Sequence, residues 1–295
     1  MNEILRRIES LQSARDPNGK ARVGALGLIS CGNAVHIRHV PFYEPCAILV
    51  LSGCKTVYSR GGGLACPAGS LLAVPGGVAL DLRNEPDATT RKYRALILPF
   101  GNELFARMCR AHGIASARPA SRPEILKFDC DRVLREAVLH YLDAAADDKL
   151  VAHRLMEILL ILAGREPRLA AYALGATSWA QRVRTIVAAD LGRAWDLSLV
   201  CGKLATSQST LRRNLKKEKT GFRELIQEQR LTSALMQLLQ TSLPVSRIAL
   251  DCGYQSVSRF SSNFRKRFGV TPSRVQDPLT GAGQRLSVSG QSLQA

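Results

Sequence analysis

The chain has 295 residues, of which 46% are hydrophobic and 22% are charged, and it carries a formal net charge of +17. This length suits two domains, and the composition excludes the disordered and fibrous classes. Because so positive a surface concentrates anions around it, the charge predicts a polyanionic partner such as nucleic acid or an anionic membrane.

The sequence carries no sign of export or membrane insertion. Residues 1–20 contain no apolar run of the 7 to 15 residues that a signal peptide needs. The longest apolar region, Leu155 to Ala163, is far shorter than the roughly 20 residues of a membrane helix. The eight cysteines include no Cys-x-x-Cys pair, which argues against a zinc ribbon or a thioredoxin-like motif. We therefore predict a cytoplasmic protein with reduced thiols and no membrane contact.

Short apolar runs separated by turn residues fill the region from about residue 23 to 100. The runs AILVLSG, GSLLAVPGG and YRALILPF, with glycine and proline between them, are typical of a small β-sandwich or barrel. From about 122 to 164, apolar residues recur three and four apart, which is the helical period. Residues 1–165 are thus predicted to form an α+β domain, a small β-barrel followed by a helical pair. The stretch from Leu150 to Leu162 could be a dimer contact or the core of this domain.

The rest of the chain divides into three segments. Residues 166–177 mix Gly, Pro and small residues and are predicted to be a linker. Residues 178–276 show only helical periodicity, which predicts an all-α domain. Residues 277–295 are rich in Gly, Ser and Gln and are predicted to be a disordered tail.

Candidate chemistry in the N-terminal region is sparse. His36, His39 and Glu44 approach a metal-binding pattern, but the two histidines are three residues apart, which places them on opposite faces of a strand, and no later histidine falls in the barrel region. Gly61-Gly62-Gly63 is followed by no Lys-Ser/Thr and is interpreted as a hairpin turn. No nucleophile elbow or paired-carboxylate signature is present. We predict no metal, no cofactor and no catalytic residue, and so a protein that is not an enzyme.

Residues 245–268 have the pattern of a helix-turn-helix unit. A short amphipathic helix is followed by Gly253 as the turn, and Ser256 begins a second helix. The predicted inward face of that helix consists of Val257, Phe260, Phe264 and Phe268. Gly269 ends the helix, and Thr271-Pro272 is expected to prevent its resumption. The residues predicted to face the major groove of DNA are Gln255, Ser256, Ser258, Arg259, Ser262, Asn263, Arg265 and Lys266.

An earlier unit, residues 197–218, repeats the pattern. Ser207 is the expected N-cap of its second helix, with Leu211 and Leu215 facing inward. The 19 residues from Phe222 to Gln240 are predicted to form a connecting helix. At 1.5 Å per residue it spans about 28 Å, close to the roughly 34 Å between successive major-groove faces of DNA. The residues of the first unit predicted to contact DNA are Ser207, Gln208, Ser209, Thr210, Arg212, Arg213 and Lys216.

Charge and motif together point to the C-terminal third of the chain. Residues 178–274 hold 17 Lys and Arg against 6 Asp and Glu. The runs SQSTLRRNLKKEKTGF and IALDCGYQSVSRFSSNFRKRFGVTPS, with Arg230-Leu231 between them, resemble the DNA-binding domain of the AraC/XylS family over residues 178–276. The sequence departs from the family at Cys201, Tyr254 and Gln276, where Ala, Phe and Arg are usual.

This resemblance implies a transcription regulator that binds double-stranded DNA, with activation through RNA polymerase as the expected mode. It also implies a cupin-like N-terminal barrel for a small-molecule effector, and a homodimer. Phosphate contacts are expected from cations such as Arg212, Lys216, Arg265 and Lys266, and base contacts from Ser209, Arg213, Arg259 and Asn263. The effector is unknown, and the candidate polar groups of its pocket are Arg38, Tyr43, Lys55 and Tyr58.

A DNA-repair protein is the alternative class. Similar helix-turn-helix domains occur fused to a zinc-tetrathiolate alkyl acceptor, which needs clustered cysteines. The cysteines of this sequence are dispersed.

Overall fold

A computed structural model describes residues 1–13, 27–59, 62–112, 124–145, 147–172 and 178–276. It confirms the predicted order of a β-rich domain followed by an all-helical one. The strands of the first domain are β1 Gly27–Cys31, β2 Val35–Phe42, β3 Cys46–Ser52, β4 Cys54–Ser59, β5 Gly62–Pro67, β6 Ser70–Val74, β7 Val78–Glu85, β8 Tyr93–Pro99 and β9 Leu126–Asp129.

The strands form two antiparallel sheets. One sheet has the order β1-β8-β3-β6-β9 and the other the order β2-β7-β4-β5. Among the described strands no hydrogen-bonded ladder joins the two sheets, so the predicted barrel is open. β4 and β5 pair with Ser59 opposite Gly62, so Gly62 and Gly63 of the predicted hairpin turn lie in β5; residues 60 and 61 lie outside the described part of the chain.

Helices cover the five-stranded sheet. They are α1 Asn2–Ser13, α2 Gly101–Ala111, α3 Arg132–Asp143 and α4 Asp148–Arg165, followed by a 3-10 helix, Pro167–Tyr172. α3 and α4 are the predicted helical pair, capped by Asp131 and Asp147, whereas α1, α2 and β9 are not in the prediction. Leu155, Ile158, Leu159 and Leu162 of α4 are buried in the core, whereas Leu150 is 49% exposed.

The predicted linker, residues 166–177, begins with a segment that packs in the N-terminal core. Leu169 and Tyr172 of the 3-10 helix are buried there, and the Tyr172 hydroxyl donates to the carbonyl oxygen of Ala73 at 3.0 Å. The core therefore extends beyond the predicted boundary at 165. Residues 173–177 and the predicted disordered tail, 277–295, lie outside the described residues.

The prediction that His36 and His39 lie on opposite faces of a strand is wrong, because β2 contains a β-bulge. The pairing of β2 with β7 shifts between Ile37 and Val40, and His39 has a φ of 52°. The extra residue changes the alternation of side chains, so His36 and His39 are both exposed rather than on opposite faces.

The second domain consists of seven described helices. They are α5 Trp179–Ala188, α6 Leu197–Lys203, α7 Gln208–Lys217, α8 Phe222–Gln240, α9 Val245–Asp251, α10 Val257–Phe268 and α11 Pro272–Val275. The bounds of α8 are those predicted. The chain does resume a helix after Gly269, because Pro272 occupies the first turn of α11, where proline needs no N–H partner.

The two domains share an apolar cluster. Leu231, Leu235 and Leu238 of α8 belong to the same buried cluster as Ile29 of β1 and Ile37 of β2. The first helix-turn-helix unit has a separate core, built around Val183, Val200, Leu211 and Leu215. α8 therefore connects the two units and also contacts β1, while α10 contacts β2.

Within the described residues, no helix has the length and apolar character needed to cross a membrane.

Candidate nucleic-acid interface

Serine caps fix the start of α7 and of α10, as predicted. The Ser207 side-chain oxygen accepts from the backbone N–H of Thr210 at 3.2 Å, and that of Ser256 accepts from the N–H of Arg259 at 3.3 Å. Each cap satisfies one of the free N–H groups of a helix N-terminus. Both helices thus begin at a defined residue on an exposed surface.

Arg230 joins the turn of the second unit to the segment between α5 and α6. Its guanidinium donates to the carbonyl oxygens of Leu191 at 3.0 Å, Arg193 at 2.8 Å and Gly253 at 3.4 Å. Gly253 has a φ of 79°, and a Cβ there would lie 2.7 Å from the Arg230 Cζ. In the sequence, Arg230 stood out only through the family resemblance. The structure shows that its planar guanidinium reaches three carbonyl oxygens at once.

The inward face of α10 is shorter than predicted. Phe260, Phe264 and Phe268 are fully buried, and consecutive rings pack 5.6 and 4.8 Å apart between centroids. Val257, predicted to face inward with them, is 44% exposed. It is the first residue of α10 and lies one turn before Phe260, beyond the end of the core.

The structure places the predicted DNA-contacting residues on two exposed surfaces. Thr210 and Asn263 are half-buried. The exposed members are Ser207, Gln208, Ser209, Arg212, Arg213 and Lys216 in the first unit and Gln255, Ser256, Ser258, Arg259, Ser262, Arg265 and Lys266 in the second.

Cations on these surfaces are free of carboxylate partners. Within the described residues, no ion pair involves Arg212, Arg213, Lys216, Arg259, Arg265 or Lys266. Other arginines of the domain are paired: Glu228 lies 2.7 Å from Arg267 and 3.4 Å from Arg184. The exposed surfaces of α7 and α10 therefore carry positive charge that no described carboxylate neutralises.

Three acidic residues of the domain accept hydrogen bonds from backbone N–H groups. Glu218 accepts from the backbone N–H groups of Trp179 and Ala180, both at 2.8 Å. Asp196 caps α6 at 2.8 Å, and Asp190 accepts from the N–H of Arg193 at 3.1 Å. With these carboxylates engaged elsewhere, the outward faces of α7 and α10 present positive charge, which suits a polyanion.

A cleft of about 450 Å³ lies between α8, the second helix-turn-helix unit and the segment that precedes α6. Its lining includes Arg259 and Asn263, which were predicted, and Trp195, Arg223 and Gln227, which were not. The two missed residues of α8 had a signal in the sequence. Arg223 and Gln227 are polar and lie on the same helical face as Arg230.

A second cavity of about 450 Å³ lies between the β-sheets and the helical domain. Gln229, Thr232 and Met236 of α8 form one wall. At about 100° per residue they lie on the face of α8 opposite to the residues of the cleft. The β-sheet wall is largely apolar and includes Ile29, Ile37, Val40, Phe42, Ile48, Leu82 and Ile97.

Lys55 is a buried cation in the wall of this interdomain cavity. It is 1% exposed, and its Nζ lies 2.6 Å from the Asn84 Oδ1 and 5.3 Å from the ring centroid of Tyr93. No described carboxylate pairs with it. Burial lowers the pKa of Lys55 to about 8.

Two of the candidate effector-pocket residues line this cavity, and two do not. Lys55 and Tyr43 line it. The Tyr43 hydroxyl lies 3.4 Å from the Thr232 Oγ1 on α8, and burial raises the pKa of Tyr43 to about 12. Tyr58 packs against His36 outside the cavity, with the two rings tilted by 50°, and Arg38 lies against Gly269.

The metal-like set of the sequence is not assembled. The His36 ring lies 5.4 Å from that of Tyr58, His39 lies 3.8 Å from Asp81, and Glu44 accepts from the Gln181 Nε2 at 3.0 Å across the domain interface. The part of the chain that the structure describes contains no group of three or more His, Cys, Asp or Glu residues able to hold a metal ion.

Comparisons with known proteins agree on the C-terminal region. A family model described as a helix-turn-helix domain matches residues 200–277. The HTH-type transcriptional activator CsvR of Escherichia coli is 30% identical over 149 residues, 50% of this chain and 55% of CsvR. GadX of E. coli K12, an HTH-type transcriptional regulator, is 34% identical over 106 residues, 36% of this chain and 38% of GadX. The matches thus span about half or less of these relatives.

Solved structures extend the likeness to both domains. ToxT from Vibrio cholerae O395, bound to (E)-4-(8-methylnaphthalen-1-yl)but-3-enoic acid, superposes with a TM-score of 0.57 at 14% identity over 83% of this chain and 95% of ToxT. Wild-type ToxT from V. cholerae SCE256, bound to an unsaturated fatty acid, gives 0.56 at 16% identity over 83% of this chain and 92% of ToxT. The chain therefore shares the two-domain fold of ToxT.

Proposed function

We propose that this chain, whose C-terminal domain is of the AraC/XylS type, is a sequence-specific DNA-binding transcription regulator that makes and breaks no covalent bond. The observation that carries the proposal is the set of six unpaired cations on two serine-capped helices of one domain. The relatives matched by that domain are named transcriptional activators and regulators. The proposal places the protein in the cytoplasm, with the DNA.

In this proposal α7 and α10 enter adjacent segments of the major groove. Arg212, Lys216, Arg265 and Lys266 contact phosphates and supply the salt-dependent part of the affinity. Base edges are contacted by Ser209, Arg213, Arg259 and Asn263. A bidentate contact from an arginine to guanine contributes roughly 1–3 kcal/mol of discrimination.

Genome-wide mapping of bound sites, followed by titration of a mapped duplex with the full-length protein at several salt concentrations, tests this function. We expect tight binding that weakens steeply with salt, and weaker binding to unrelated duplexes. Equal affinity for mapped and unrelated duplexes would contradict a sequence-specific regulator. No binding at low salt would contradict DNA binding altogether.

For the effector we propose an apolar carboxylic acid in the interdomain cavity. The cavity volume lies within the 300–1,000 Å³ usual for ligand pockets. Lys55 is the supporting feature, because a buried cation without a carboxylate partner is stabilised by an anionic ligand. Both ToxT ligands named above are carboxylic acids with apolar bodies.

Thermal denaturation of the full-length protein with palmitoleate, an unsaturated fatty acid, tests the effector proposal. We expect palmitoleate to raise the Tm of the parent and of Lys149→Gln, a control at an exposed lysine, but not of Lys55→Gln. The same Tm shift in all three proteins would contradict a role for Lys55.

Activation through RNA polymerase and a homodimer remain proposals, supported by the family resemblance. Val133 of α3 and Leu150 of α4 are exposed apolar side chains available for a dimer contact. Sedimentation of the full-length protein at micromolar concentration tests the dimer, and transcription from a mapped promoter with purified polymerase tests activation.

A further inference from the structure

Val257 is an exposed apolar side chain in a polar surface. It is 44% exposed, although the sequence pattern assigns it to the core, and its neighbours Ser258 and Arg259 are exposed and polar. At the first position of α7, the corresponding place in the first unit, stands Gln208. The two units therefore present different chemistry at the start of their second helices.

The position of Val257 determines what it can meet. In a helix-turn-helix protein the N-terminal residues of the recognition helix contact the base edges. A valine side chain can neither donate nor accept a hydrogen bond, so it cannot read the donors and acceptors of the groove or bind a phosphate. The apolar group that the major groove offers is the 5-methyl group of thymine.

The side chain is also held rigidly. The Ser256 cap fixes the first turn of α10 through its bond to the N–H of Arg259. A β-branched side chain in a helix has one strongly preferred rotamer, so little conformational entropy is lost on contact. The methyl groups of Val257 are therefore preorganised for an apolar contact.

We propose that Val257 is a specificity-determining residue that contacts the 5-methyl group of one thymine in the half-site bound by the second unit. This inference rests on the proposed DNA-binding function and adds to it a base preference that the cations and hydrogen-bonding residues do not provide.

Replacing thymine by uracil tests the contact, because it removes only the methyl group and keeps every hydrogen-bonding atom. In a mapped duplex, each thymine of the half-site is replaced singly and the affinity of the full-length protein is measured. We expect one position at which uracil weakens binding about three- to fivefold, the effect of one buried methyl group. Val257→Ala should bind the thymine and uracil duplexes equally.

Leu250→Ala is the matched control. Leu250 is 60% exposed on α9, outside the recognition helix, so its removal should leave the thymine preference unchanged. Alanine at 257 favours a helix more than valine does, so Val257→Ala is expected to fold; a thermal denaturation of each variant checks this.

The outcomes separate this inference from the proposed function. Salt-dependent, sequence-specific binding without a uracil-sensitive position overturns the role of Val257 and leaves the proposed function standing. A uracil-sensitive position that persists in Val257→Ala has the same meaning. Absence of any DNA binding overturns both.

Discussion

Ala205 and Gly253 adopt the same left-handed backbone conformation, with φ of 49° and 79°, one residue after the C-caps of α6 and α9. The residue that follows closes the same turn in each unit. The backbone N–H of Thr206 donates to the carbonyl oxygen of Cys201 at 3.1 Å, and that of Tyr254 donates to the carbonyl oxygen of Ala249 at 2.9 Å. Glycine adopts this conformation without strain, whereas alanine does not.

We expect Ala205→Gly to stabilise the protein. The left-handed conformation costs a non-glycine residue roughly 1–2 kcal/mol. Glycine avoids this cost, but it loses about 0.5–1 kcal/mol more conformational entropy on folding than alanine does. The expected net gain is about 0.5–1 kcal/mol, measured by urea denaturation of the full-length protein. Gly253→Ala is the opposite control, because its Cβ would lie 2.7 Å from the Leu191 carbonyl oxygen and the Arg230 Cζ. A lower urea midpoint for Ala205→Gly would contradict the strain.

Lys216→Ala should reduce the salt dependence of DNA binding. Lys216 is exposed in the last turn of α7 and is expected to contact one phosphate. Losing one such contact lowers the slope of log Kd against log salt by about 0.9 and weakens binding to all sequences alike. Arg132→Ala, whose side chain is 85% exposed on α3, is the charge-matched control. Equal slopes for the two variants would refute the phosphate contact.

Lys55→Met should stabilise the ligand-free protein, and the gain should depend on pH. Burial lowers the pKa of Lys55 from 10.5 to about 8, so between these pH values the unfolded chain binds more protons at this residue than the folded chain does. The stability of the parent therefore rises with pH in that range relative to Lys55→Met. We expect the advantage of the variant to be greatest below pH 8 and to shrink by about 2–3 kcal/mol at most toward pH 10.5. Urea denaturation of both proteins from pH 7 to 10.5 measures this difference; a constant difference would exclude the shift.

Glu228→Ala should destabilise the helical domain. Glu228 pairs with Arg184 of α5 and Arg267 of α10, whose side chains are 15% and 24% exposed. Removing the carboxylate leaves two half-buried guanidinium groups without their counter-ion. We expect a loss of about 1–2 kcal/mol, less than for a fully buried pair because solvent screens part of the charge. Glu228→Gln, which retains an acceptor, should lose less in the same urea experiment, and a neutral effect of Glu228→Ala would show that the pairs do not stabilise the fold.

Local signals in the sequence predicted the helical domain well. The bounds of α8, the caps Ser207 and Ser256 and the turn at Gly253 each depend on a few neighbouring residues, which the sequence displays directly. Periodicity alone nevertheless assigned Val257 wrongly to the core. Helical periodicity shows the face of the helix on which a residue lies, but not where along the helix the core ends.

The features between the two domains could not be predicted from the sequence, for a different reason. The cavity at Lys55 and the contact of Tyr43 with Thr232 join segments far apart in the chain, and no local pattern records which strand faces α8. The bulge at His39 depends on a hydrogen bond from its N–H to Asp81, 42 residues away. Of the four candidate pocket residues, only Lys55 and Tyr43 line the cavity, since inward and outward directions follow from strand register.

The two opposite faces of α8 border two different sites. One face borders the interdomain cavity, and the other borders the cleft beside the second helix-turn-helix unit. Under the proposed function, whatever factor an effector imposes on the affinity for DNA is imposed equally by DNA on the affinity for the effector. A protein molecule bound to its operator would then be half-saturated at a different effector concentration from a molecule that is not bound to DNA. The number of operators occupied in the cell would therefore change the effector concentration at which the regulator responds.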